Sequence, residues 1–490
     1  MYLSVWPIRG NSCLSYILAT MISLRCHPRK ALRFFSTKRI VSEIFSPPAL
    51  GAFGGAGVIE GWTASGWEGV RTAFESNFAA KEEVGAQLCI FHKGKPVVDL
   101  SGKSDMAPAD YDAGTLQCVF SSGKNMEAIA VAMLVSRGQL AYDATVSSVW
   151  PEYGSGGKDG VTIADVMRHE GGVPYLASPS APFDAAQDAV LTPEDVRDVD
   201  SMERKIERTV REPRRLYHAL TRGFVVNGIL RRVDPAGRSL GRFIAEEISA
   251  PLGVEYFCGI PEAEQGAYKF ADMTQRSLPY TLLVEVIPAM LGFGCPVLRA
   301  SIEIVTDKTN PLVMRVPVSW TGDPPTPAFN NTPEGRAMEI SSAGMYANAR
   351  SMAKVNAAMA GAGEVGGVRL MSEDVALAFM SEFKSTLDVG MATTTSFSQG
   401  GVADMGELEG ALIDKDDPQA YAGFTGWGGW GGSISVWCPE RELAVAYAMS
   451  GMSTYLLGGP RTRSILNAVQ NIVPVTEQKR ESWVSSDGGL

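Results

Sequence analysis

Apolar positions along the 490 residues divide the chain into strand-like ends and a helical middle. Trp67, Val70, Phe74 and Phe78 recur at three- and four-residue intervals and predict an amphipathic helix over Gly66–Ala80. Two apolar runs follow, Val84–Phe91 and Pro96–Leu100, joined across His92–Lys93–Gly94–Lys95, and together they predict a β-hairpin. A second hairpin is predicted near the C-terminus, with Ser433–Cys438 and Glu442–Met449 on either side of Pro439–Glu440–Arg441. Between them, Asn125–Ser136, Leu216–Val233, Arg238–Ala250 and Ala349–Ala360 carry helical periodicity and are separated by Pro-rich loops. The expected fold class is therefore α+β: an antiparallel sheet built from both ends of the chain, flanked by helices, with a mostly helical insertion. In residue terms, 61–120 and 345–474 form an α/β lobe, 121–344 a mostly helical lobe and 475–490 a tail. A groove between two such lobes is where a substrate site is expected. The stretch 270–327 is apolar in places yet rich in Pro, and it is expected to be a lid or insertion over that groove.

Composition adds a globular body and an unusual N-terminus. Apolar residues make up 45% and charged residues 20%, with no short repeat, so a packed core is feasible. Residues 1–42 hold seven Lys or Arg and no acid, whereas the rest carries 37 basic against 54 acidic residues. A body that acidic repels phosphate backbones, which excludes nucleic acid as an expected partner. The leader, 1–45, combines Arg with Ser, Thr and aromatic residues in the manner of a mitochondrial transit peptide. Two other readings compete with it. Ser12–Leu24 can be taken as the apolar part of a secretory signal, although at about thirteen residues it falls short of the ~20 that a membrane span requires; or the segment is an unstructured cytosolic leader. A Pro, Gly and Ala stretch then predicts a flexible linker over 46–60. Seven scattered cysteines without a C-x-x-C pair, and four histidines without H-E-x-x-H, point to no metal, no cofactor and no disulfide framework.

Serine can act as a nucleophile only with a base in hydrogen-bond reach, because a free hydroxyl is hardly ionised at neutral pH. An S-x-x-K spacing supplies an amine within one helical turn. The chain contains that spacing four times, at Ser121/Lys124, Ser155/Lys158, Ser351/Lys354 and Ser381/Lys384. Ser155 lies in a Gly-rich loop that cannot hold the register, and Ser351 and Ser381 read as ordinary exposed residues of helical stretches. Ser121 differs: it follows Cys118–Val119–Phe120 and opens a long apolar helix, where N–H groups and the helix dipole favour developing negative charge. On this motif alone, a nucleophile and a simple N-cap remain equally compatible. A single G-x-S-x-G match, Gly237–Gly241, lacks the preceding strand that a nucleophile elbow needs, and Ser239 reads as a helix start.

The stretch from Val119 to Pro174, including VFSSGKNMEAIAVAMLVSRGQLAYDATVSSVWPEY and VTIADVMRHEGGVP, resembles the nucleophile region of the β-lactamase-related serine hydrolases. That group holds class C β-lactamases, D-Ala-D-Ala peptidases and family VIII esterases, and the chain resembles the esterases most. Its S-x-x-K matches Ser121 to Lys124, and His169–Glu170–Gly171–Gly172 resembles a helix-ending H-x-x-G turn that makes His169 structural. The second motif, Y-x-N, is matched at Tyr217 but has Ala219 in place of Asn, with His218 expected to face away. The third, K-T-G or H-x-G, finds its counterpart in Trp427–Gly428–Gly429 within GFTGWGGWGGSISVW. The resemblance spans roughly Trp62 to Val473.

What the resemblance implies is a β-lactamase/transpeptidase-like fold and a serine esterase working through an acyl-enzyme. Ser121 is then the nucleophile, Lys124 and Tyr217 move its proton, and the N–H groups of Ser121 and Trp430 form an oxyanion hole. Trp427, Gly428, Gly429 and Trp430 would bind substrate, with the two tryptophans lining an apolar acyl pocket. The replacements at Ala219 and Trp427 remove groups that hold a β-lactam carboxylate, which favours small-molecule esters over a β-lactamase or D-Ala-D-Ala peptidase activity. A similar-looking mitochondrial protein forms filaments, so a homo-oligomeric scaffold with little catalysis is the alternative from another class.

Overall fold

The computed structural model of the protein describes residues 57–176, 196–276, 329–391, 393–412, 420–453 and 459–475. Its first elements are strand β1 (Val58–Thr63), helix α1 (Glu68–Ala79) and strands β2 (Gly85–His92) and β3 (Lys95–Lys103). Lys93 and Gly94 link β2 to β3 with φ of 53° and 71°, the positive pair that a tight two-residue hairpin turn demands. A short β4 (Gln117–Cys118) leads into helix α2 (Lys124–Ser136), and helix α3 (Thr221–Val233) packs against it. After β5 (Tyr256–Cys258) come β6 (Met345–Ala347) and helix α4 (Ala349–Ala360). The chain then runs through β7 (Lys384–Asp388), β8 (Thr393–Phe397), β9 (Ala403–Asp404), β10 (Thr425–Gly428), β11 (Ile434–Cys438) and β12 (Leu443–Met449) to helix α5 (Pro460–Ile472).

These strands form one nine-stranded sheet in the order β1-β3-β2-β12-β11-β10-β9-β8-β7, antiparallel throughout, so both ends of the chain do meet at its centre. A smaller sheet, β4-β6-β5, lies in the insertion. The central strand β12 is buried at every position, and its sequence LAVAYAM shows no alternation because both faces are covered. Tyr447 meets Phe74 of α1 edge-on at 6.5 Å, while on the opposite face Ser435 Oγ donates to Asn356 of α4 at 2.8 Å. Helix α2 is buried from Lys124 to Leu134: its sequence is apolar without a break from Ala128 to Val135, and the polar Lys124, Asn125 and Glu127 of its first turn are buried with hydrogen-bond partners.

Several boundaries differ from the sequence expectation. Val58–Glu60, assigned to the linker, are part of β1 and pair with Ser101–Lys103. Helix α3 begins only at Thr221, because the carbonyls that a helix from Leu216 would use are engaged elsewhere, Leu216 O with His218 Nδ1, Tyr217 O with Ala219 N and Ala219 O with Lys124 Nζ, while Asp388 and His169 accept from the Tyr217 and His218 N–H groups. Arg238–Ala250 is not one regular helix; Ser239 caps Leu240–Ile244, a wider turn covers Ala245–Ser249, and Ala250–Leu252 ends at Gly253 with φ 61°. The hairpin β7/β8 was not foreseen. Residues 1–56 and 476–490, and most of the stretch 270–327, lie outside the described residues. Among those described, no helix is long and apolar enough to cross a membrane.

Phe74 is fully buried between α1 and the sheet and touches both Phe78 and Tyr447. Phe74→Ala is expected to lower stability by about 3–5 kcal/mol, read as a reduced urea midpoint at unchanged slope.

Candidate active site

Strand β4 delivers the chain to a turn at Phe120, whose φ of 45° is an uncommon conformation for an aromatic residue and the kind of local strain that gathers at functional sites. A 3₁₀ turn, Phe120–Gly123, then precedes α2. Residues three apart eclipse in a 3₁₀ turn, so the half-buried Ser121 and the first residue of α2, Lys124, stand side by side. Lys124 Nζ lies 3.2 Å from Ser121 Oγ, and Tyr217 donates its phenol proton to the same Oγ at 2.7 Å.

The amine has two further contacts, donating to the Ala219 and Ser342 carbonyls, each at 2.8 Å. Two N–H bonds to carbonyls are what a neutral amine can make while its lone pair faces the Ser121 hydroxyl. Burial holds Lys124 well below the ordinary lysine range; the nearby Arg222 cation adds to this, and the Glu127 carboxylate opposes it. Burial raises the Tyr217 phenol, so it stays protonated and can donate. With Lys124 neutral, the two contacts at Ser121 Oγ run as a chain of donors, from the Tyr217 hydroxyl to Ser121 and from Ser121 to Lys124; a protonated amine would instead donate to Oγ.

Across from this chain, the end of β10 and the loop after it close on the nucleophile turn. Gly429 N donates to Ser433 O at 2.7 Å, and Gly431 O accepts from Arg461 and from Ser453 N at 2.7 and 2.9 Å. Ser433 Oγ donates to Val119 O at 2.8 Å and lies 3.0 Å from Ser122 Oγ, tying the loop to the turn before Ser121. A Cβ at Gly429 would stand 2.3 Å from Val119 O and 2.2 Å from Ser433 Oγ, so this close approach requires glycine. Trp430 is 37% exposed and meets Phe120 edge-on at 5.4 Å. Among the described residues, the N–H groups of Ser121 and Trp430 donate to no protein acceptor.

Ser121, Lys124, Tyr217, Trp427, Gly428, Gly429 and Trp430 therefore come to one place. Trp427 departs from its expected position on the acyl pocket wall. It is only 4% exposed, donates from Nε1 to Gly401 O at 2.8 Å, and stacks on Phe397 and Tyr217 at 5.2 and 5.9 Å. It is a platform under the tyrosine, because an indole that large fits between strands more favourably than in water. His169, with φ 62°, accepts from His218 N at 3.0 Å and packs 4.8 Å from Tyr217. His218 points its ring at Val173 N and Leu216 O rather than at Ser121. Burial keeps both imidazoles neutral, His169 well below the usual histidine range and His218 at about 4.

The other S-x-x-K pairs form no comparable group. Lys158 spends its amine on the Ser155, Glu207 and Thr209 carbonyls. Ser351 is buried rather than exposed as expected, accepting from Glu255 N, while Lys354 donates to Leu252 O. Ser381 bonds to Ala378 O, and Lys384 pairs with Glu170. Ser239 caps its helix and donates to Glu339. Among the described residues, no cluster of three or more His, Cys, Asp or Glu side chains is arranged to hold a metal.

Two parts of the site escaped the sequence reading. Asp388, at the end of β7, accepts from the N–H groups of Tyr217, Gly390 and Met391 and so fixes the tyrosine's backbone. Glu127 and Arg222 form a fully buried ion pair at 2.7 Å beside Lys124. A Glu one helical turn after the lysine was the available signal, but its partner is 95 residues away.

A serine, a buried lysine one turn on and a tyrosine from the insertion, set against a strand of an antiparallel sheet, define a β-lactamase-related serine hydrolase. The Beta-lactamase family model matches residues 70–470, and the chain belongs to that family. It is 28% identical over 311 residues to LipL of Mycobacterium tuberculosis (strain ATCC 25618 / H37Rv), named an esterase/beta-lactamase; the match covers 62% of this chain and 65% of LipL, a little under two thirds of that relative. Among solved structures, a penicillin-binding protein homologue from Caulobacter crescentus is similar at 26% identity and a TM-score of 0.64, over 85% of this chain and 100% of that one. A family VIII carboxylesterase is similar at 26% identity and 0.65, with the same coverage.

Gly429→Ala is expected to displace the Trp430 N–H and reduce kcat on an activated ester by about 10²–10³-fold. Overpacking should lower stability by about 1–3 kcal/mol, so a urea melt run beside the kinetics separates a displaced loop from an unfolded protein.

Proposed function

We propose that the protein hydrolyses small carboxylic esters through an acyl-enzyme on Ser121. The observation that carries this reading is the Lys124 amine, buried and bonded to two carbonyls with its remaining valence toward Ser121 Oγ. In the first step Ser121 Oγ attacks the ester carbonyl while its proton passes to Lys124 Nζ. The oxyanion is received by the Ser121 and Trp430 N–H groups. As the tetrahedral intermediate collapses, the proton moves from Lys124 by way of Tyr217 to the leaving alcohol oxygen, and the C–O bond breaks. Water then attacks the acyl-enzyme by the reverse relay and releases the acid.

The site supports esters over carboxylate-bearing amides because its third motif presents Trp427 rather than a cation. Arg222, stacked 5.1 Å from the Trp427 ring, is fully buried and engaged with Glu127 and three carbonyls. LipL's name couples esterase with β-lactamase, so amide cleavage is the alternative that needs an assay of its own. A scaffold without catalysis would leave the assembled Ser121, Lys124 and Tyr217 with no task. The acid-free, basic N-terminus supports a mitochondrial location as part of the same proposal.

Wild-type protein is expected to cleave p-nitrophenyl esters and to leave nitrocefin essentially intact. Ser121→Ala should lose at least about 10³-fold in kcat, and Tyr217→Phe about 10²–10⁴-fold, both with an unchanged melting curve. Ester hydrolysis by Ser121→Ala at the wild-type rate would refute the mechanism.

A further inference from the structure

The Glu127–Arg222 pair takes no part in the proton relay, yet it is built around the base. Glu127 Oε2 accepts from Arg222 Nε at 2.7 Å, and Oε1 accepts from Ser341 and Ser342 Oγ at 2.8 and 2.6 Å. The Ser342 carbonyl in turn accepts from Lys124 Nζ. Arg222 donates to the Met167, Gly401 and Lys124 carbonyls at 3.1, 3.0 and 2.9 Å. Both side chains are 0% exposed. A buried ion pair adds little stability over apolar packing of the same volume, so its position calls for another reason.

We propose that Glu127 and Arg222 act together as a charge-balancing pair that sets the pH at which Lys124 gains and loses its proton. The inference rests on the reading of Lys124 as the base for Ser121. A carboxylate on the lysine's own helix favours the ammonium, and a guanidinium at the start of α3 disfavours it; with both present, the two effects largely offset each other. Burial then dominates, in keeping with the causes that lower Lys124. Either charge alone, inside a low-dielectric core, would move the base away from its working range.

The other groups facing Lys124 leave this assignment to the pair. Tyr217 and Trp427 present their rings 4.9 and 5.9 Å from Nζ, and the phenol is raised by burial. His169 and His218, behind the tyrosine, are held neutral. Arg215 is paired with Glu170 at 2.7 Å, and Asp388, raised by burial, faces the Tyr217 backbone. Arg222 also lowers both imidazoles and, with Glu127, acts on the phenol, but burial is the largest cause in each, so their charge states persist when Glu127 or Arg222 is changed and differences between variants report on the pair.

A fluorophosphonate probe provides the readout: the Ser121 Oγ–P bond forms, fluoride leaves and the serine proton passes to Lys124. Its labelling rate is to be measured against pH for wild type, Glu127→Gln, Arg222→Met and the double variant. Removing the carboxylate leaves a lone cation, the amine loses its proton more easily, and the acid limb should fall by about one pH unit. Removing the guanidinium leaves a lone anion and should raise the limb by about one unit, while the double variant should return to within about half a unit of wild type. Gln is isosteric with Glu, and the three carbonyls that hold Arg222 are untouched by it. Glu127→Gln and the double variant therefore decide the matter if Arg222→Met does not fold. A shared midpoint among the folded variants, or an upward shift in Glu127→Gln, overturns the proposal. Failure of the probe to label wild type would instead overturn the reading of Ser121 and Lys124 on which it rests.

Discussion

A lysine amine with no access to water has to be either paired or neutral, and much of the insertion is arranged around that constraint at Lys124. Its side chain is 0% exposed and ends among Ser121 Oγ and two main-chain carbonyls. Those carbonyls come from the approach to α3 and from the segment before β6, so the base is positioned by backbone rather than by mobile side chains. Carbonyls accept hydrogen bonds and cannot donate them, which leaves a neutral amine's lone pair to the serine. Precision in this geometry comes from secondary structure packed on both sides of the sheet, the arrangement that preorganised sites require.

A second layer fixes the tyrosine. Trp427 and His169 pack under and beside the Tyr217 ring, Phe397 backs both of them, and Asp388 holds the tyrosine's backbone N–H. The replacement of a cationic third motif by Trp427 thus has a structural meaning beyond substrate choice. The indole fills the space beneath the phenol and covers Arg222, whose guanidinium lies 5.1 Å from its ring. A neutral aromatic floor and a buried amine suit an uncharged substrate, and this links the departure from the lactamase pattern to the proposed preference for esters.

Much of the sheet's centre was legible because its signals are local. Apolar runs bounded by Lys93–Gly94 and by Pro439–Arg441 define both hairpins, and Ala349–Ala360 coincides with α4. The peripheral hairpin was not, since β7 and β8 are short and polar, as KSTLD and TTTSF, at the edge of the sheet. Leu216–Leu220 carries helical periodicity but its backbone is held by side chains 171, 49 and 95 residues away in the chain. Long-range capture of backbone groups leaves no periodic trace. The same applies to the site: the S-x-x-K spacing and the glycines were readable, whereas the burial of Trp427 and the Glu127–Arg222 pair exist only once α2, α3 and β10 have packed.

The central claim is that Lys124 is a neutral base in the resting protein. Carbon-13 NMR of protein labelled at lysine Cε, with the Lys124 signal assigned by its loss in Lys124→Met, tests it most directly. The account predicts a Lys124 resonance that titrates well below the exposed lysines of the same molecule. Titration together with those lysines, in the ordinary lysine range, would contradict it.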